Sequence, residues 1–201
     1  KTKVMISGRV NIRSVDWCPH SRGISFLAQR GDDERSQLYL LPLDGGEARR
    51  LTEFKYSISS YRWHPGGDSI FFTATEPDSA REKFLSQKGY GFIYYEENLK
   101  HRNLYRYFFE DKVVKPLTSG QTVWSFAPGP EGEQVLYAAS PRNLVDHRYM
   151  FWNIFRLDLK KDKAEQLTDK VGKKGNFELS PDGKYVAYTA SLDRKDHGVS
   201  Q

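Results

Sequence analysis

The sequence predicts an all-β fold, a partial β-propeller of four-stranded antiparallel blades with three full repeats and part of a fourth. Three observations carry this. An aromatic or apolar residue, a Pro-centred turn and an alternating strand recur four times, at Val15-Asp-Trp-Cys-Pro19, Tyr61-Arg-Trp-His-Pro65, Trp124-Ser-Phe-Ala-Pro128 and Phe177-Glu-Leu-Ser-Pro181. The turn prolines are 46, 63 and 53 residues apart. Between them, at matching phase, strand–turn–strand segments end on Leu-Thr, running Leu38 to Thr52, Leu104 to Thr118 and Ile154 to Thr168. Finally, each unit holds four short runs of period-2 alternation bounded by Gly, Pro, Asp and Ser, the signature of half-buried strands.

Taken in order, the repeats cover about residues 10–54, 55–120, 121–170 and 171–191 of one partial propeller domain, 1–201. In the second, the strands are expected near 57–63, 69–75, 103–109 and 112–117. The Pro-Asp-Gly turn suits its place because Pro presets φ near −65° while Gly accepts a positive φ. Asp44-Gly45-Gly46 marks a hairpin between third and fourth strands. Four-stranded units at such intervals bury their apolar faces only by stacking on neighbours. Ending inside the fourth unit, the chain reads as a fragment, with closure by self-association as the alternative.

An insertion over 76–102 explains the longest interval. Residues 78–88 are expected to form a short helix capped by Asp78 or Ser79. Long inserts in regular scaffolds are often functional, so this is the first place to look for a site.

Composition sets outer bounds. Hydrophobic residues are 38% of 201, and aromatic residues supply 14%, a mix suited to strands with one wet face. Charged residues at 28% and a mean hydropathy of −0.70 fit much exposed surface. The net charge of +5 raises nucleic-acid binding. The densest basic run, Lys160, Lys161, Lys163, Lys170, Lys173 and Lys174, falls in turns where charge is solvated, so no nucleic-acid partner is expected. No apolar run reaches a membrane span of about 20 residues. The single Cys18 excludes an intrachain disulfide and leaves cytoplasm and periplasm both open. The chain does not begin with Met, which leaves a removed leader open as well.

No catalytic centre is expected in this chain. Gly198-Val-Ser200-Gln201 begins a Gly-x-Ser-x-Gly pattern without completing it, and no strand leads into it. Cys18 and His20 suggest a nucleophile–base pair, but Cys18 is in register with His64, Ala127 and Ser180, simply the residue before a turn proline. His20, His64, His101, His147 and His197 show no metal-ligand spacing, and neither metal nor cofactor is called for. Glu96 and Glu97 follow two tyrosines in the insertion. They are the candidate substrate-binding residues, able to take an ammonium group. The alternative is a solvated acidic patch paired with Lys100 and Arg102. Asp146-His147-Arg148-Tyr149-Met150 interrupts the third unit, is too short for a separate element, and is read as a contact to a neighbouring blade or a partner.

With these motifs assembled, the chain resembles the β-propeller of the prolyl oligopeptidase family of serine peptidases, in its acylaminoacyl-peptidase-like and dipeptidyl-peptidase-like members. The turn motif also occurs in the TolB propeller. Gly91 to Tyr105, Leu144 to Met150 with Asn153-Ile-Phe, and Ser191 to His197 are similar to segments of the peptidases. The resemblance implies a Ser-Asp-His triad on a separate α/β-hydrolase domain that this chain lacks. It implies a non-catalytic portion that gates short peptides toward that domain. Glu96-Glu97 resembles the Glu pair that holds the substrate amino terminus in dipeptidyl peptidases. The competing expectation is a TolB-like scaffold for a protein partner.

Overall fold

A computed structural model describes residues 4–7, 10–90 and 99–193. The first sheet has the order β1 (Ile12–Trp17), β2 (Gly23–Ala28), β3 (Gln37–Pro42), β4 (Arg49–Arg50). The second runs β5 (Ile58–Trp63), β6 (Ser69–Thr75), β7 (Arg102–Phe108), β8 (Val114–Pro116). The third runs β9 (Thr122–Pro128), β10 (Gln134–Ser140), β11 (Asn153–Asp158), β12 (Lys163–Gln166), and β13 (Lys174–Leu179) pairs with β14 (Val186–Ala190). Every registered pair is antiparallel. This is the partial propeller of the sequence reading: three four-stranded blades and half of a fourth.

The Leu-Thr motif has a physical origin that repeats three times. Leu51, Leu117 and Leu167 each donate their backbone N–H, at 2.8 Å, to the carbonyls of Leu38, Leu104 and Ile154. The following threonine turns its hydroxyl oxygen back onto the N–H of that same third-strand residue. Leu38 donates to Thr52 at 3.0 Å, and Leu104 to Thr118 and Ile154 to Thr168 at 2.9 Å. Thr thus supplies a side-chain acceptor where the outer strand has ended, and no buried donor is stranded.

The Pro turns are equally specific. Gly67, Gly132 and Gly183 hold φ of 75°, 70° and 71°, the left-handed region that glycine enters without a Cβ clash. The first repeat makes its turn without glycine: His20 and Ser21 sit at φ 63° and 53° within a short 3₁₀ turn over Pro19–Ser21. The first strand of each blade also carries a register break, between Arg13 and Asp16, Ile58 and Ser60, opposite Ala138/Ala139, and between Lys174 and Phe177.

The chain divides into two compact units, residues 1–74 with 105–115 and residues 75–104 with 116–201. In the first, Leu27 and Leu38 are buried together with Ile58, Tyr61, Ile70, Phe72 and Tyr107. Polar bonds lock the same packing: Tyr61 Oη meets Ser25 Oγ at 2.7 Å, and Trp63 Nε1 donates to that oxygen at 2.8 Å. In the second unit Leu136, Ala138, Trp152 and Ile154 pack with Phe177, and Gln134 Nε2 donates to the Gly183 carbonyl at 3.1 Å. Within the first unit the first blade buries a face against the second, and within the second unit the third buries a face against the fourth, as repeats too thin to own a core must.

Two details differ from the sequence reading. The segment around Asp146 is an element after all: α2 (Val145–Tyr149) is a five-residue helix, made possible because Arg148 and Met150 donate back to the carbonyls of Leu144 and Asp146. Lys174 is not a solvated turn lysine. Its Nζ is buried, donates to the carbonyls of Trp152, at 3.0 Å, and Lys170, and lies 5.7 Å from the centre of the Trp152 ring. Burial pushes its ammonium below the ordinary lysine value.

Candidate functional site

The insertion leaves β6 at Thr75 and rejoins the sheet at Arg102. Its helix α1 (Ala80–Gln87) falls inside the expected 78–88. Ser79 is the cap: it accepts from Glu82 N at 3.2 Å while Glu82 Oε2 accepts from Ser79 N at 2.7 Å, a reciprocal capping box. The helix buries none of its residues, so side-chain packing does not hold it in place. Polar contacts at its base do. Lys100 pairs with Asp78 and with Glu82, the latter at 3.4 Å. Glu76 N donates to the His101 carbonyl at 2.8 Å, and the Glu76 carboxylate accepts from His101 N at 3.2 Å and Asn103 Nδ2 at 2.9 Å.

The same root is tied to the third blade. His101 Nδ1 and Thr122 Oγ1 are 3.1 Å apart, and Arg102 Nε donates to the Val123 carbonyl at 2.8 Å. The Arg102 guanidinium lies over the Trp124 ring, 5.3 Å from its centre. Trp124 is the extra residue of the β9 bulge, since Ala138 faces Ser125 and Ala139 faces Val123. A bulge re-aims a side chain, and here it presents an indole face to the arginine. Trp124 Nε1 then donates to Ser140 Oγ at 2.9 Å, and Ser140 Oγ donates to the Arg142 carbonyl at 2.9 Å. Asn143 Nδ2 closes the circuit on the Lys100 carbonyl at 2.8 Å. Segments 100–102, 122–124 and 140–143 therefore form one bonded surface, and α2 follows directly at Val145.

Burial lowers the Arg102 guanidinium from its ordinary value, and the neighbouring charge of Arg148 on α2 lowers it further. Among the described residues no carboxylate pairs with either arginine. Asn103 Oδ1 and His147 Nδ1, both in this unit, are buried polar atoms without a partner among the described residues.

The expected site residues fare differently. Glu96 and Glu97 lie outside the described residues, as do His197 and Ser200. Lys100, one of the two bases offered as their partners, pairs among the described residues with Asp78 and Glu82. Cys18 is buried, and burial raises its thiol above the ordinary value, the reverse of an activated nucleophile. His64 Nδ1 lies 3.1 Å from Gly66 N and 3.0 Å from Asp68 Oδ1, within its own turn. Among the described residues no three His, Cys, Asp or Glu side chains gather as a metal site, and no helix is long and apolar enough to cross a membrane.

A separate hollow in this unit is lined mostly by charged side chains. A cleft of about 680 Å³ lies among the β9–β10 and β11–β12 turns. Six of its charges pair among themselves: Arg156 with Glu165 at 2.6 Å, Lys160 with Glu133 at 2.5 Å, and Lys161 with Asp158 at 3.3 Å. In an antiparallel sheet those turns lie at the opposite end from the β10–β11 connection that carries α2. The insertion root is the candidate because it is where the chain departs from the four-stranded repeat.

Comparison with known proteins agrees with this architecture. No protein-family model matches the chain. A Bacillus subtilis protein named uncharacterized peptidase YuxL is 29% identical over 190 residues, which cover 92% of this chain and 23% of that protein. The chain therefore spans about a quarter of the length of the curated relative it matches. Among solved structures, TolB from Acinetobacter baumannii superposes with a TM-score of 0.61 at 21% identity, covering 92% of this chain and 39% of TolB. Dipeptidyl peptidase 4 from Porphyromonas gingivalis gives 0.57 at 17%, covering 91% and 26%. The tricorn protease gives 0.56 at 13%, covering 98% and 16%. The chain has the TolB-like blade architecture found in propeller-bearing peptidases, and its sequence is similar to that of a protein named as a peptidase.

Proposed function

We propose that the chain is the non-catalytic propeller portion of a serine peptidase of the prolyl oligopeptidase family, gating peptide access to a hydrolase domain outside this sequence. The observation that carries the reading is the insertion root. A 27-residue excursion, 76–102, without a buried helix face is nonetheless pinned to the next blade by His101, Arg102 and Asn143. A structureless spacer would need no such anchoring. A surface held in register beside an entrance would, because positioning a bound chain requires rigid supports. The likeness to YuxL over nearly the whole chain supports the peptidase side of the proposal. Gating here is steric and electrostatic: insertion and α2 narrow the approach, and their charges select the end of the peptide. Glu96 and Glu97 are the residues proposed to hold a substrate ammonium group.

The second reading is a TolB-like scaffold for protein binding, favoured by the somewhat higher TM-score and identity of TolB itself. One experiment separates the two. The gene's reading frame is followed past residue 201, and the full protein is treated with a fluorophosphonate. A Gly-x-Ser-x-Gly serine that labels, with deletion of 76–101 admitting longer peptides to cleavage, supports gating. A stop after the propeller with no labelling rejects it in favour of the scaffold.

A further inference from the structure

We propose that α1 is a lid hinged at the insertion root, latched by the pairing of Lys100 with Asp78 and Glu82 and released when salt screens those pairs. This rests on the gating reading above and adds how the approach is opened.

The helix is built to move as one body. Its first turn is closed by the Ser79–Glu82 capping box. Its last turn closes on itself as well: Tyr90 N donates to the Leu85 carbonyl and Gly89 N to the Ser86 carbonyl, both at 3.0 Å, with Gly89 at φ 81°. Two such bonds around a left-handed glycine satisfy a helix end without outside help. No residue of α1 is buried and Phe84 is 57% exposed, so little apolar area holds the helix down.

The hinge is short and the latch spans it. Glu76 is fixed to His101 and Asn103 through its backbone and carboxylate. Only Pro77 and Asp78 separate it from the cap, Ser79. Lys100 pairs with Asp78 on one side of that cap and with Glu82 on the other. Glu82 serves cap and latch with separate oxygens: Oε2 accepts from Ser79 N at 2.7 Å, while Oε1 lies 3.4 Å from Lys100 Nζ. The helix dipole disfavours a cation at this end, so the two carboxylates are what hold Lys100 there. The Asp78 side chain is 59% exposed, within reach of salt. An exposed pair shifts an equilibrium by a factor of about two to five, which is minor beside a buried face but decides the position of a helix that has none.

Nitroxide labels on Ser86→Cys and Ser119→Cys, two exposed positions, report the motion in the whole chain by pulsed electron paramagnetic resonance. Cys18→Ala removes the remaining thiol and installs the residue that the third repeat carries there. At a salt concentration of about 0.05 M one narrow distance is expected. At about 1 M, where charges are screened beyond about 3 Å, a second population displaced by about 5 Å or more should appear, as a helix about 12 Å long swings about one end. Asp78→Asn with Glu82→Gln keeps the cap, since Gln also serves in a capping box, and should show the second population at both concentrations. Lys100→Gln should do the same from the other side of the latch. In the full protein, the double variant should cleave longer peptides several-fold faster at low salt. A single distance that ignores salt in every variant overturns the lid, and so does a salt response that survives Lys100→Gln. A displaced helix with unchanged cleavage upholds the latch and rejects the gating reading beneath it.

Discussion

The guanidinium of Arg102 lies 5.3 Å above the centre of the Trp124 ring while its Nε donates to the carbonyl one residue earlier, so a single side chain couples the insertion root to the β9 bulge. Removing either partner should loosen the second unit. Arg102→Gln is expected to lower its stability by about 1–3 kcal/mol, combining a lost hydrogen bond and a lost cation–π contact. A double-mutant cycle with Trp124→Leu should return a coupling of about 0.5–2 kcal/mol in urea unfolding. Additive effects would mean that the contact contributes nothing.

Thr118 offers a sharper test of why Leu-Thr ends each blade. Thr118→Val keeps the shape and removes the acceptor for the Leu104 N–H, leaving a buried donor without a partner. The cost expected is about 1–3 kcal/mol. Thr118→Ser retains the oxygen and should recover most of it. The urea midpoints of the two variants, compared with the unchanged chain, decide the matter.

The Pro turns predict opposite signs at equivalent positions. Gly183 has φ 71°, and a Cβ there would come within 2.9 Å of Gln134 Nε2, whose bond to the Gly183 carbonyl joins the third and fourth blades. Gly183→Ala should destabilise by about 1–2 kcal/mol through backbone strain, with displacement of Gln134 in addition. Ser21 occupies the corresponding place in the first repeat at φ 53°, so Ser21→Gly should be neutral or stabilising by up to about 1 kcal/mol. Thermal melts of both variants test the pair.

Alkaline pH should unfold the first unit early. Burial raises the phenols of both Tyr39, pushed up to about 12 and helped by its bond to Asp33, and Tyr61, higher still. The unfolded chain releases these protons from a pH of about 10 upward while the folded chain keeps them. Folding therefore holds more protons than unfolding in that window, and stability falls as pH rises. Below about pH 10 the contribution is fully present. Tyr61→Phe should flatten the fall between about pH 10 and 12, read from urea midpoints across that range.

The blades were legible because their signals are local. A Pro turn, a period-2 run and a Leu-Thr ending each follow from backbone chemistry within a few residues, and Ser79-x-x-Glu82 announces the insertion helix in the same way. The centre of the site was not. Arg102 meets Val123 across 21 residues and Asn143 meets Lys100 across 43, and neither pairing follows from periodicity. The Trp124 bulge hides as an ordinary aromatic in a strand, although an aromatic next to a register break is the one local hint. Lys174 looked like turn charge because its burial depends on the Trp152 carbonyl and ring, which only packing brings near. Five residues of α2 form too little helix to leave a periodic trace.

The central claim is that the insertion root and the α2 segment make one peptide-facing surface. Amide hydrogen exchange of the whole chain, with and without a saturating free-acid tripeptide, tests it most directly. Slower exchange confined to 99–104, 122–125 and 143–150 is the result expected. Protection centred instead on the β9–β10 and β11–β12 turns, or none anywhere, would contradict it.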